Sequence, residues 1–219
     1  MLHSPAQGVG SAVIAIIDYK AGNLTSVRLA LDYIGAACEI TGDPLRIRAA
    51  ERVIFPGVGA AGEAMRNLRE LGLIEPLRAV VASGVPFLGI CLGTQVIFEF
   101  SEEDGGTPCI GLVPGRVQRF APSDPLCKIP QIGWNAVEFR RPHPVLAGIQ
   151  SGSEFYFVHS YYPAPSDPSY AIGETEYADV RFASVIGKDN LFATQFHPER
   201  SGRIGLKLLE SFGRWDGKC

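Results

Sequence analysis

Nowhere in this chain of 219 residues is there an apolar run of membrane-spanning length, which takes about 20 residues. A basic block is also missing: 20 Lys and Arg stand against 23 Asp and Glu, for a net charge of -3. The expected partners therefore include neither a membrane nor nucleic acid. The five cysteines (Cys38, Cys91, Cys109, Cys127, Cys219) are odd in number, widely spread and never in C-x-x-C spacing. That excludes a disulfide framework and a structural zinc site as expectations, and no metal or cofactor is foreseen. Histidine is scarce, at four residues, which narrows the choice of base for any chemistry that needs an imidazole. The start, Met1 to Gly10, lacks a basic region followed by an apolar core. Residues 1–11 are expected to be a loosely ordered extension, and 12–219 one domain of a reduced, cytoplasmic protein.

What is present begins with Ala12-Val-Ile-Ala-Ile-Ile17, a continuous apolar, β-branched run of the kind buried on both faces of a parallel sheet. A helix is expected over Leu24–Ile34, capped by Asn23 or Ser26, then short strands at Ala37–Ile40 and Arg52–Phe55. Helical runs at Ala60–Leu71 and Ile74–Ala82 lead to another buried strand, Val85–Leu88. This order predicts an α/β fold, mostly parallel, with helices on both faces. The second half is richer in strands and turns, and predicts an added antiparallel portion: Glu154–Tyr161 is strongly β-prone, and Arg181–Ile186 faces Leu191–Phe196 across a turn. An amphipathic helix, Ser201–Phe212, closes the chain.

The stretch Gly89-Ile-Cys-Leu-Gly93 lies between a strand and the helical-looking run Thr94–Phe100. Glycines two residues on either side of a cysteine form the G-x-nucleophile-x-G pattern of a tight strand-to-helix turn. A thiol at a helix N-terminus is biased toward thiolate, and the following N–H, that of Leu92, is aimed where an oxyanion would form. Ligands of open α/β sheets bind beyond the carboxyl ends of the strands, where the loops Asp18–Asn23 and Pro56-Gly-Val-Gly59 also fall.

A nucleophilic cysteine needs a base, and the base needs a partner that holds its ring. In His197-Pro-Glu199 the two side chains are two apart on an extended segment, so His197 can face Cys91 with Glu199 behind it. His3 lies in the loose start, and His143, in Arg-Pro-His-Pro, reads as a surface turn. His159 is the other candidate base; its i+2 neighbour is Tyr161 rather than a carboxylate, which ranks it second, with a structural or substrate-side role.

The elbow Gly89–Gln95 with His197-Pro-Glu199 resembles the class I (triad) glutamine amidotransferases, whose domain is a three-layer, flavodoxin-like α/β fold. Asp18-Tyr-x-x-Gly-Asn23, Pro56–Gly59, Pro130-x-Ile-Gly-Trp-Asn135 and Tyr156-Phe-Val-His-Ser-Tyr161 narrow the likeness to glutaminase subunits of imidazole glycerol phosphate synthase, from histidine biosynthesis. The resemblance implies a catalytic Cys91, His197 and Glu199, with an oxyanion hole from Leu92 and the Gly57-Val58 backbone. It implies glutamine contacts at Gly59, Gln95, Glu103, His159, Ser160 and Tyr161. It further implies a heterodimer with a (β/α)8-barrel cyclase that receives the ammonia and makes imidazole glycerol phosphate and aminoimidazole carboxamide ribotide. Asn23, Pro130, Trp134, Asn135, Tyr156 and Arg200 match its interface positions. Departures are Lys20 for the usual glycine, Gln131 for the usual histidine and Thr94 for a common methionine. The alternatives are a paralogue supplying ammonia for surface-sugar amidination, another cysteine hydrolase on this fold, and a non-catalytic regulatory subunit.

Overall fold

The computed structural model describes residues 13–20 and 22–219. The expected N-terminal extension, His3 and Ala12 lie outside them. The elements run β1 (Ile14–Ile17), α1 (Leu24–Tyr33), β2 (Cys38–Thr41), α2 (Pro44–Ala49), β3 (Arg52–Gly57), α3 (Ala61–Glu70), α4 (Ile74–Ala82), β4 (Phe87–Cys91) and α5 (Leu92–Val96). They continue with β5 (Phe100–Ser101), β6 (Thr107–Pro108), β7 (Gly115–Arg119), β8 (Gln131–Phe139), β9 (Ser153–His159) and β10 (Tyr161–Pro165). The last are β11 (Ala171–Tyr177), β12 (Val180–Lys188), β13 (Leu191–Thr194) and α6 (Gly202–Arg214).

A nine-stranded sheet has the order β2-β1-β3-β4-β13-β12-β11-β8-β9. Its first five strands are parallel and the rest pair antiparallel, the division expected from the two halves of the sequence. A smaller sheet, β10-β7-β5-β6, stands beside it. Strand alternation sorts the core into two layers. Ile14 and Ile16 pack with Val27 and Leu31 of α1 and Leu208 and Phe212 of α6. Ala15 and Ile17 pack with Ile47 of α2, Met65 and Leu68 of α3, and Leu77 and Val80 of α4. Both faces of β1 and β4 are thus covered, which is why their sequences are apolar without alternation.

Four local expectations change. A short helix, α2, fills the gap between β2 and β3: Asp43 accepts the Leu45 N–H at 2.9 Å and Pro44 opens the first turn. Asn23 precedes α1 in a left-handed conformation (φ 73°), and its side chain makes no cap bond. The helix after Cys91 stops at Val96 because the Glu99 N–H is captured by the Gly115 carbonyl at 3.2 Å, drawing the chain into the smaller sheet. His143 is buried, not a surface turn.

The His143 ring packs against Phe192 and Trp215, with centroids at 4.7 and 4.9 Å, and its Nδ1 accepts the Val145 N–H at 3.1 Å. Burial, helped by the Arg141 charge, pushes its pKa down to about 4. The native ring then refuses a proton that the unfolded chain accepts below about 6.5, so stability falls as pH drops through the interval between these values. His143→Asn keeps a capping acceptor but cannot titrate. In urea denaturation, lowering the pH from about 6.5 to 5 should cost the wild type roughly 1 to 2 kcal/mol more than this variant.

Candidate active site

Cys91 ends β4 with φ 53° and ψ -109°, a left-handed turn that lifts its side chain out of the strand path as α5 begins. The two glycines are steric requirements of that turn. A Cβ at Gly93 would lie 1.8 Å from the Phe55 carbonyl oxygen; one at Gly89 would lie 3.0 Å from Ala193 Cβ and 3.3 Å from the Thr94 backbone. Leu92, the first residue of α5, has an N–H without an acceptor inside the helix. Register places Gly57 opposite Cys91, so the Pro56–Gly59 segment runs beside the sulfur.

β13 is the other neighbour of β4, pairing Thr194 with Ile90, so the segment after it passes the same strand end. There His197 Nδ1 is 2.7 Å from Glu199 Oε1, with the two side chains 1% and 0% exposed. Asn23 Nδ2 donates to the same Glu199 oxygen at 2.7 Å. Position 23, read as an interface residue, therefore turns its amide inward to the third member of the cluster. His197 Nε2 makes no hydrogen bond of full geometry in the resting chain, but it lies within the field of the Cys91 sulfur. Burial opposes charging of this ring; attraction to Cys91 and Glu199 overcomes it and raises the pKa to about 10. The arrangement favours a protonated imidazole beside the Cys91 sulfur, with its Nδ1 pinned by the Glu199 side chain.

His159, the second-ranked base, faces a different environment. Its Nδ1 is 2.7 Å from the Tyr161 carbonyl, which fixes that proton, and Phe120, Phe157 and Phe182 surround the ring. Burial drives its pKa down to about 4, against the pull of that carbonyl. No carboxylate holds it, and it stays neutral.

A cavity of about 260 Å³ opens over the sulfur, lined by Val58, Gly59, Cys91, Leu92, Gln95, Glu103, Pro130, Val158, His159, Ser160 and Tyr161. Every expected glutamine contact borders it. Glu103 also accepts the Ala61 N–H at the start of α3 at 2.7 Å, while burial raises its pKa. Gln95 donates to the Tyr161 carbonyl at 2.9 Å.

Three further features were not anticipated. Gln195 is fully buried and touches both Gln95 and Cys91. The Ser201 hydroxyl donates to the His197 carbonyl at 2.6 Å and accepts the Tyr156 N–H at 3.0 Å. Thr94, where methionine is common, ties α5 to β13 by donating to the Thr194 carbonyl at 2.6 Å. The extended segment expected at His197-Pro-Glu199 is not formed: β13 ends at Thr194, the chain bends at Gln195 and Phe196, and Pro198–Arg200 turn as a 3₁₀ helix. Tertiary folding rather than strand alternation therefore brings Gln195, His197 and Glu199 to the sulfur.

Of the expected interface residues, Trp134 is 51% exposed and stacks edge-on against Tyr156 at 6.2 Å. The Arg200 guanidinium lies 4.5 Å over the Tyr156 ring. Asn135 instead accepts from the Gln131 Nε2 amide at 2.8 Å within β8, while the buried Gln131 Oε1 has no partner among the described residues. Pro130 borders the cavity. Among the described residues no group of His, Cys, Asp and Glu could hold a metal, and no helix is long and apolar enough to cross a membrane.

A family model described as glutamine amidotransferase class-I matches residues 15–213, and the chain belongs to that family. Solved structures agree on the fold: PurLQS from Thermotoga maritima superimposes with a TM-score of 0.70 at 16% identity, covering 92% of this chain and 97% of that one. A second, from Thermoplasma acidophilum and described as a GMP synthase protein, gives 0.68 at 18% identity, covering 93% of each. Within the class, curated relatives about half identical to this chain are imidazole glycerol phosphate synthase subunits HisH. The one from Herpetosiphon aurantiacus is 50% identical over 203 residues, 93% of each chain. The one from Nitrosococcus oceani is 48% identical over 206 residues, 93% of this chain and 98% of that one. At that identity and coverage, the chain falls in the HisH branch.

The Asn23–Glu199–His197 chain is open to test. Asn23→Asp sets a second carboxylate against Glu199, whereas Asn23→Ala only removes a donor. Steady-state glutaminase kinetics should show a fall of about tenfold for the alanine variant and a larger one for the aspartate, mostly in kcat.

Proposed function

We propose that this chain is the glutaminase subunit of imidazole glycerol phosphate synthase, with Cys91 as nucleophile and His197 and Glu199 as its base and orienting carboxylate. The observation that carries the reading is the buried His197–Glu199 pair facing a strained cysteine, in a chain half identical to HisH subunits.

The Cys91 sulfur attacks the side-chain amide carbon of L-glutamine, and the C=O π pair moves onto oxygen. The Leu92 N–H and one from the Gly57-Val58 backbone stabilise that oxyanion. Imidazolium His197 gives its Nε2 proton to the departing nitrogen, so ammonia leaves and a thioester remains. His197, now neutral, takes a proton from water; the hydroxide attacks the thioester and glutamate is released. Glu199, held by Asn23, keeps the ring in one tautomer throughout.

The exposed Trp134–Tyr156–Arg200 face beside the cavity suits docking of a (β/α)8-barrel cyclase. Ammonia passed directly into such a partner escapes protonation in water and keeps its nucleophilicity. There it would serve formation of imidazole glycerol phosphate and aminoimidazole carboxamide ribotide.

The test is a glutaminase assay with and without the cyclase and its nucleotide ligand. Hydrolysis should be very low for the isolated chain and rise at least a hundredfold in the liganded complex, on the order of one oxyanion donor. Cys91→Ala should abolish synthesis from glutamine and leave synthesis from added ammonia intact. Unchanged glutamine-dependent synthesis by that variant would sink the assignment.

A further inference from the structure

The mechanism above makes no use of Gln195, although its side chain is completely enclosed beside the reacting sulfur. Its Nε2 is 3.7 Å from Cys91 Sγ, and its Oε1 is 3.0 Å from Gln95 Nε2. The backbone carbonyl of Tyr161, 2.9 Å from Gln95, fixes the polarity of this series. A carbonyl only accepts, so the Gln95 atom facing it is the NH2 group. The second hydrogen of that NH2 points to Gln195, which must meet it with oxygen. The NH2 of Gln195 is left at the far end, against the sulfur. Its backbone is held too, the Gln195 N–H donating to the Ser184 carbonyl at 2.9 Å.

This order has two consequences. A thiolate in a buried site gains from a donor aimed at it, and Gln195 supplies one in addition to His197. With both its hydrogens committed, Gln95 has only its carbonyl oxygen left to offer the cavity that it lines, as an acceptor; L-glutamine would meet it with an N–H group.

We propose that Gln195 is a positioning residue that donates a hydrogen bond to the Cys91 thiolate and simultaneously locks Gln95 as an acceptor for a substrate N–H. The substrate half of this inference rests on the glutaminase reading; the thiolate half rests on the geometry alone. The titratable groups around the sulfur are His197 backed by Glu199, Tyr19 from the loop after β1, His159 from β9, and Glu103 across the cavity. None of these changes in the variants below.

Gln195→Glu keeps an oxygen toward Gln95 and replaces the donor at the sulfur with an acceptor. In the complex with the cyclase, alkylation of Cys91 by iodoacetamide, followed by mass spectrometry across the neutral pH range, should slow about tenfold, and its midpoint should move to higher pH. In glutamine turnover, kcat should fall while KM stays within about threefold. A buried Glu burdens folding, so Gln195→Leu carries the same test without a charge. It should slow alkylation similarly and, having released Gln95, also raise KM about tenfold. Alkylation profiles for both variants that coincide with the wild type would overturn the proposal. Absence of glutamine turnover by the unaltered complex would instead overturn the proposed function, leaving the alkylation result to stand by itself.

Discussion

One backbone conformation governs the site: the left-handed turn at Cys91, forced between a central strand and the first turn of α5. A non-glycine residue there costs on the order of 1–3 kcal/mol, which the surrounding structure has to offset. It does so through burial of β4 between two parallel neighbours, with all five residues of the strand enclosed. The turn also sets what its neighbours can be. Phe55 leaves no room for a side chain at Gly93, and the Tyr19 hydroxyl, 1.9 Å from where a Cβ would sit on Gly57, leaves none there. Strain at Cys91 and smallness beside it are parts of one packing solution.

The electrostatics can be judged against controls inside the same molecule. His143, His159 and His197 are all nearly enclosed, and burial works against the charged form in each. Two are driven down to about 4, whereas the third rises to about 10. What distinguishes the third is its company: the sulfur on one side and the Glu199 carboxylate on the other. Burial alone would have left it inert. Attraction to these two neighbours turns the same desolvated setting into one that holds a proton on the ring.

Much of this was legible in the residues. β1 announced itself by an unbroken apolar run, the elbow by its paired glycines, and the His197–Glu199 pair by closeness in sequence, although Pro198–Arg200 turn as a 3₁₀ helix where an extended segment was expected. Less visible was anything that depends on chain segments meeting from afar. Asn23 and Glu199 are 176 positions apart, and Gln95 and Gln195 are 100 apart, so no local pattern links them. Asn23 looked like a helix cap because its type and position fit one, but a tertiary acceptor won its amide. His143 looked like a surface turn for the prolines around it; Phe192 and Trp215, which enclose it, come from the end of the chain. The arrest of α5 at Val96 had the same kind of origin, a carbonyl from β7, well beyond the helix in sequence, competing for Glu99.

β9 has a double character that bears on how such a site is controlled. Its Tyr156 ring lies on the outside between Trp134 and Arg200, while the carbonyl of the same residue receives the His197 N–H at 2.9 Å. Two residues along, the Val158 carbonyl stands 3.9 Å from the Cys91 sulfur. A single strand thus turns an aromatic ring outward and its carbonyls toward the His197 backbone and the Cys91 sulfur. One peptide unit therefore separates an outward-facing aromatic contact from the backbone that carries His197.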